Sequence, residues 1–270
     1  MAVTLDAATV DDIVNRLELA RTTKIQIRQV TLEHPDMTID DAYAIQRAWI
    51  DRQLASGKKV VGHKIGLTSR AMQQAVGIDE PDFGTLLDSM VYEPDADIPF
   101  DDFVEPRLEV ELAYVLSGSL EGVGITADDV LAATAYVAPA VEIIDARIQR
   151  IDPSSGRTRS VRDTIADNAA NAGIILGGHR IDPSTCDLRW AGAILTQNGV
   201  VEETGLGAGV LGNPTLGVVW LARKYAQFGL ALTPGQLILA GSFTRPVFVS
   251  RGDEFVFDYG DLGRFGARFT

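Results

Sequence analysis

From Lys58 onward the chain is a succession of short apolar runs cut by Gly, Asp and Pro turns, and this texture limits the fold to one built on many strands. Strands are expected at 59–66, 108–117, 135–145, 173–177, 191–197, 200–204, 236–241, 246–250 and 254–259. In ILTQNGVVEET, Asn198-Gly199 stands between two alternating runs, a strong short-range hairpin signal. PVFVSRGDEFVFDYG, 246–260, reads as a second hairpin. Short helices intervene: ITADDVLAATA is capped by Thr126, and NPTLGVVWLARKYAQFG has Asn213 as cap, Pro214 at the first helical position and Gly229 beyond the end. The first sixty residues differ. Val10, Ile13, Val14 and Leu17 recur at helical intervals, and a second helix starts at Thr38-x-x-Asp41, a capping-box variant, presents Ile39, Ala42, Ile45 and Trp49, and stops at Gly57. The expectation is an α+β fold: a helical N-terminal segment, 1–60, and a rolled mixed sheet, 61–270, in one continuous unit without a linker.

The 270 residues carry a net charge of −13, and no basic patch is visible, which argues against nucleic acid as a partner. The N-terminus lacks a basic stretch followed by an apolar one, and no run is long enough to span a bilayer. Cys186 is the single cysteine, so an internal disulfide framework is excluded. A cytoplasmic protein with no membrane partner is expected.

Two of the apolar runs hold acids where apolar residues are expected. Side chains alternate along a strand, so in PRLEVELAYVL Glu109 and Glu111 share one face while Leu108, Val110, Leu112 and Tyr114 share the other. For that pattern alone, a half-exposed strand with two outer glutamates is the better explanation. ATAYVAPAVEIIDARI adds a third acid, Glu142, in an almost wholly apolar run where a carboxylate needs a partner. Three such glutamates suit a hard divalent cation, with no His or Cys nearby to favour zinc: Mg²⁺, Mn²⁺ or Ca²⁺.

Other polar groups are candidates for work beside such an ion. In VVGHKIGLTS, Lys64 follows an apolar start; buried near a metal it would have a lowered pKa and exchange protons, and a structural ion pair is the alternative. His63 faces the opposite way and reads as structural. Asp82 falls in what reads as a loop. Ser242 and Thr244 of GSFTRP suit a substrate carboxylate or a plain turn, and Arg162, Arg147 and Arg245 are available for a second carboxylate. The polar stretch 149–163 is a candidate mobile loop over a site. DTIADNAANAG places small and amide residues where tight packing or a polar pocket wall would need them.

Together GHKIGLTS, EPDFGTLLD, PRLEVELAYVL, PAVEIIDARI, DTIADNAANAGIILGG, NGVVEETGLGAGVLGNP and LAGSFTRP resemble the hydratase/decarboxylase branch of the fumarylacetoacetate hydrolase-like superfamily, over nearly the whole chain. The resemblance implies a mixed β-roll or barrel core, a homo-oligomer, and a divalent metal, usually Mg²⁺ with Mn²⁺ as an alternative. It assigns Glu109, Glu111 and Glu142 as metal ligands and places Lys64 and the Asp82 loop in the active site. DNAANAG and VEETG lie closer to hydratases of longer diacids than to other members. The implied activity is that of a lyase: water added to a 2-oxo-4-ene (2-hydroxy-2,4-dienoate) diacid, giving a 4-hydroxy-2-oxo diacid, in meta-cleavage catabolism of aromatic compounds such as homoprotocatechuate. Lys64 and Asp82 would be catalytic, and Ser242, Thr244 and Arg162 would bind substrate. Decarboxylation of 2-oxo-3-hexenedioate (4-oxalocrotonate) and hydration of 2-hydroxypenta-2,4-dienoate draw on the same chemistry. A metal-stabilised binding or assembly subunit is the non-enzymatic alternative.

Overall fold

A computed structural model describes residues 3–270. The elements, in chain order, are α1 (Ala7–Thr23), α2 (Val30–Glu33), α3 (Ile39–Ala55), β1 (Val60–Gly66), α4 (Arg70–Val76), β2 (Asp82–Leu87), β3 (Val91–Tyr92), β4 (Ala96–Ile98), β5 (Arg107–Leu116), α5 (Ala127–Ala132) and β6 (Thr134–Ile144). They continue with α6 (Val161–Ala166), β7 (Asn171–Leu176), β8 (Gly192–Gln197), β9 (Val200–Leu206), α7 (Thr215–Ala226), β10 (Leu237–Leu239), β11 (Val247–Phe248), β12 (Glu254–Asp258) and β13 (Arg264–Phe269).

The N-terminal helices form because their ends are capped and one face of each is apolar. Asp6 accepts from the Thr9 amide at the start of α1, and Lys24 ends it in the left-handed region at φ 61°. Thr38 and Asp41 close a full capping box on α3. Ile13, Val14 and Leu17 of α1 and Ala42, Ile45 and Trp49 of α3 are buried in the same core as the sheets. Glu18 ties the two helices, accepting from Trp49 Nε1 at 3.2 Å and Gln53 Nε2 at 3.0 Å.

The strands form two mixed sheets. One runs β2-β1-β10-β5-β6-β7-β3, with β11 added on β5; the other runs β4-β13-β12-β8-β9. The long antiparallel pair β5–β6 is the spine of the first, and parallel β1–β10 pairing closes its flank. The aromatic rings of Phe255, Phe257, Phe265 and Phe269 fill the second sheet's inner face.

Asn198 and Gly199 both have positive φ, 51° and 82°, as the tight β8–β9 turn requires. The second expected hairpin is not one: β11 pairs with β5, whereas β12 pairs with β8 and β13, so the chain changes sheets between them. Asp82 is not in a loop but opens β2, a strand buried along its whole length. Residues 149–163 are anchored. Asp152 pairs with Arg28 at 3.1 Å, Gln29 Nε2 donates to the Arg157 carbonyl at 2.7 Å, and Asp163 receives the Thr31 amide at 2.9 Å. These bonds stitch the segment to the start of α2 and the residues just before it, a tertiary pairing that the loop composition does not encode.

Candidate active site

The site is built on the β5–β6 pair. Leu108, Val110, Leu112 and Tyr114 are wholly buried on one face of β5, so Glu109 and Glu111 face the other way. The register sets Glu142 of β6 directly opposite Glu109 and Ala140 opposite Glu111. Like charges directly opposed destabilise a sheet, yet Glu111 and Glu142 are 1% and 0% exposed, which disposes of a merely solvated outer face. One oxygen from each of Glu109, Glu111 and Glu142 lies within 4.8 Å of the others, the one such grouping of acids among the described residues.

Burial, then the charge of Glu142, pushes Glu109 up to about 7 and Glu111 well above the usual carboxylate range. Glu111 Oε2 accepts from the Gly241 amide at 2.8 Å. Glu142 Oε1 accepts from Asn171 Nδ2 at 2.9 Å, and its Oε2 is buried with no partner. A buried, unmatched carboxylate oxygen among converging acids is the donor set of a hard divalent cation, and the residues fit Mg²⁺.

Lys64, 3% exposed, extends from β1 into this cluster, with Nζ 3.4 Å from Glu142 Oε1 and donating to the Ala169 carbonyl at 2.9 Å. Burial alone lowers its pKa, but Glu142, Asp82, Glu109 and Glu111 outweigh that, and the net direction is upward. The lowered value expected from sequence is therefore absent among the protein's own charges, because the acids surround the ammonium. Asp82 is 2% exposed, its Oδ1 lacks a partner, and burial raises its pKa against the pull of Lys64. Gly66 permits this approach: a Cβ there would stand 2.2 Å from Asp82 Oδ1 and 2.9 Å from Lys64 Nζ. His63 points away, with Nδ1 2.9 Å from the Tyr225 hydroxyl, and burial lowers its pKa to about 4.

The small and amide residues of DNAANAG form a strained turn. Asn168, Ala169 and Ala170 have φ of 53°, 50° and 63°, which costs about 1–2 kcal/mol per residue where no glycine is present. Asn168 holds the turn to β2, accepting from the Thr85 amide at 2.8 Å and donating to its carbonyl at 2.9 Å. The turn aims the Ala169 carbonyl at Lys64 and delivers Asn171 to Glu142. The composition of this stretch is unusual in the sequence, but nothing in it singles out Asn168 or Asn171.

Ser242 and Thr244 line a cleft of about 400 Å³ together with Glu109, Thr68, Phe243 and Arg245. They also knit the turn to β5: Ser242 Oγ donates to the Thr244 carbonyl at 2.9 Å, and Thr244 Oγ1 accepts from the Val110 amide at 3.1 Å. Arg162 does not join them. Its Nη1 donates to the carbonyls of Pro35 and Met37 at 3.1 and 2.5 Å, and it does not line the cleft. Arg147 is committed to Asp167, and Arg245 pairs with Glu203.

No family model matches the chain. It is 53% identical over 258 residues, 96% of this chain and 97% of the relative, to 2-oxo-hept-4-ene-1,7-dioate hydratase of Escherichia coli. It is 38% identical, over 89% of this chain and 90% of the relative, to 2-hydroxyhexa-2,4-dienoate hydratase of Comamonas testosteroni. The solved structure of 4-oxalocrotonate decarboxylase from Pseudomonas putida G7, complexed with magnesium and adipate, superposes with a TM-score of 0.94 at 34% identity, covering 100% of both chains. Fold, acid cluster and likeness together define an enzyme whose buried acids suit a hard divalent cation. The chain belongs to the hydratase/decarboxylase branch of the fumarylacetoacetate hydrolase-like superfamily.

Proposed function

We propose that the protein is a divalent-metal-dependent hydro-lyase that hydrates a 2-oxo-4-ene (2-hydroxy-2,4-dienoate) diacid to a 4-hydroxy-2-oxo diacid, in meta-cleavage catabolism of aromatic compounds such as homoprotocatechuate. The observation that carries this reading is the 53% identity to a 2-oxo-hept-4-ene-1,7-dioate hydratase across 96% of the chain.

Glu109, Glu111 and Glu142 would hold the cation, which when bound supplies Lewis acidity toward the 1-carboxylate and 2-oxygen of the substrate. Ser242 and Thr244, on the wall beside Glu109, would orient the pyruvoyl end. The first step moves a proton from the 2-hydroxyl to C5 and gives the conjugated 2-oxo-3-ene. Lys64, held as the ammonium by the surrounding acids, is the donor to C5, and the proton lost from the 2-hydroxyl restores it; it is buried and fixed by the Ala169 carbonyl. Asp82, raised toward its neutral form, serves as the proton store behind Lys64. Water then adds its oxygen to C4 and a proton goes to C3. The shelter of the site keeps both transfers from bulk solvent.

Decarboxylation is the second reading, favoured by the TM-score of 0.94 to a 4-oxalocrotonate decarboxylase. An assay of the Mg²⁺-loaded protein separates the two. Hydration removes the dienoate absorbance with no CO₂ released; stoichiometric CO₂ would replace the hydratase reading.

A further inference from the structure

The segment 149–163 carries four arginines, at 150, 157, 159 and 162. Arg150 Nε donates to Glu105 Oε2 at 2.9 Å, Arg162 caps two carbonyls, and Arg157 is exposed. Arg159 differs from them all. Its side chain is 8% exposed, and Nη1 is buried with no hydrogen-bond partner. The nearest acid oxygen, Asp167 Oδ2, is 3.9 Å from Nη1, beyond hydrogen-bonding distance. That oxygen already accepts from the Arg147 amide at 2.9 Å, and Arg147 Nε holds the other. Asp167 is thus satisfied without Arg159.

A guanidinium cannot escape burial by losing its proton at ordinary pH, so an idle, sheltered N–H is a standing cost. Arg150 and Arg147 add repulsion, which Asp167 and Asp163 only partly offset, the net direction for Arg159 being downward. A carboxylate is the ligand that relieves both, since it accepts two parallel N–H bonds from the planar fork. The position is also suitable. Arg159 is near enough to Asp82 to oppose the rise of that carboxyl, and Asp82 meets Lys64 across Gly66. Asp82 and Val161, two residues beyond Arg159, both line a cavity of about 130 Å³ on this flank. Of the other arginines considered for a second carboxylate, Arg147 and Arg162 are engaged elsewhere, and Arg245, on the cleft wall beside Glu109, is exposed and already paired with Glu203.

We propose that Arg159 is the receptor for the far carboxylate of the substrate, so that the 149–163 segment selects diacids while the three glutamates select the 2-oxo acid end. This rests on the diacid reading above. The test is calorimetric binding of adipate and of hexanoate, its single-carboxylate counterpart, to Mg²⁺-loaded protein, which needs no turnover. The native protein should prefer adipate, and Arg159→Met should cut adipate affinity about 10- to 100-fold, the range for a charged hydrogen-bonding pair, while hexanoate binding is unchanged. Arg159→Lys keeps the charge without the fork and should recover part of the preference at native thermal stability, which covers a poorly folding Met variant. A preference that survives in either variant at full strength overturns the role of Arg159 and leaves the hydratase reading intact. No preference in the native protein overturns the diacid reading itself.

Discussion

Asp41, on α3, and Glu142, on β6, are both 0% exposed, and the chain treats them in opposite ways. Asp41 is saturated. It accepts the amides of Thr4, Leu5 and Thr38 at 2.6, 2.9 and 2.7 Å and the hydroxyls of Thr4 and Thr38 at 2.8 and 2.7 Å. Asp163 repeats the pattern with Thr31 and Ser160. Glu142 has one hydrogen bond, from Asn171, an ion pair with Lys64 at 3.4 Å, a bare Oε2 and two acids for neighbours. A carboxylate whose acceptors are filled by its own chain can only hold that chain together. One left partly unfilled in a rigid sheet is held ready for something from outside.

The sharpest way to break this contrast is Glu142→Gln. Magnesium binding and turnover should fall by on the order of 10³-fold, since several kcal/mol of charge stabilisation depend on the cation. The chelator-treated variant should lose little in Tm, because relief of the buried like-charge contact offsets loss of the 3.4 Å pairing with Lys64; a large drop in Tm would make Glu142 a structural acid like Asp41. Lys64→Ala should reduce turnover by about 10²- to 10⁴-fold, the usual contribution of a positioned acid-base group, with magnesium still bound by calorimetry. Indifference to that change would return Lys64 to a structural ion pair. Asp41→Ala should show the inverse: a loss of about 2–4 kcal/mol in urea unfolding, with kcat per folded molecule preserved.

Acidity separates the two classes more gently. Glu109 has a folded pKa near 7 against an ordinary 4.5, so the folded chain holds more protons than the unfolded one between these values. Stability of chelator-treated protein should therefore decline as pH rises from 4.5 to about 7, and magnesium should bind more tightly over the same rise. Asp41 is shifted downward from 3.8, so its contribution is complete above 3.8 and is lost on acidification below it. Denaturant midpoints across pH, with and without magnesium, check both signs. The smallest effect concerns the turn behind Lys64: Ala169→Gly should raise stability by about 0.5–1 kcal/mol by removing a left-handed alanine. Any accompanying fall in kcat would show that the alanine's stiffness fixes the carbonyl facing Lys64.

Much of this was legible in the sequence because it depends on period and local chemistry. Alternation in PRLEVELAYVL placed Glu109 and Glu111 on one face, and Asn198-Gly199 announced its hairpin, since strands of period two and tight turns are encoded within a few residues. Where tertiary partners decide, local sequence carries no signal. β2 is hidden because Glu80-Pro81-Asp82 has turn composition, and only pairing with β1 makes it a strand. Residues 246–260 look like a hairpin until β5 offers a better partner to β11. Arg162 and Arg159 are indistinguishable in a polar run; only the packing shows that one caps carbonyls and the other is sheltered with a free N–H.

The pairing of Glu109 with Glu142 also bears on how the chain finds its fold. A slip of one residue along β5 would turn Leu108, Val110 and Leu112 outward and drive Glu109 and Glu111 into the hydrocarbon interior, beside Val137 and Val141. Two ionised groups in that position are far worse than the native crowding, which a cation can quench. The acids that make the finished sheet uneasy therefore also forbid its nearest misassembled rival, and binding the ion rewards the correct alignment alone.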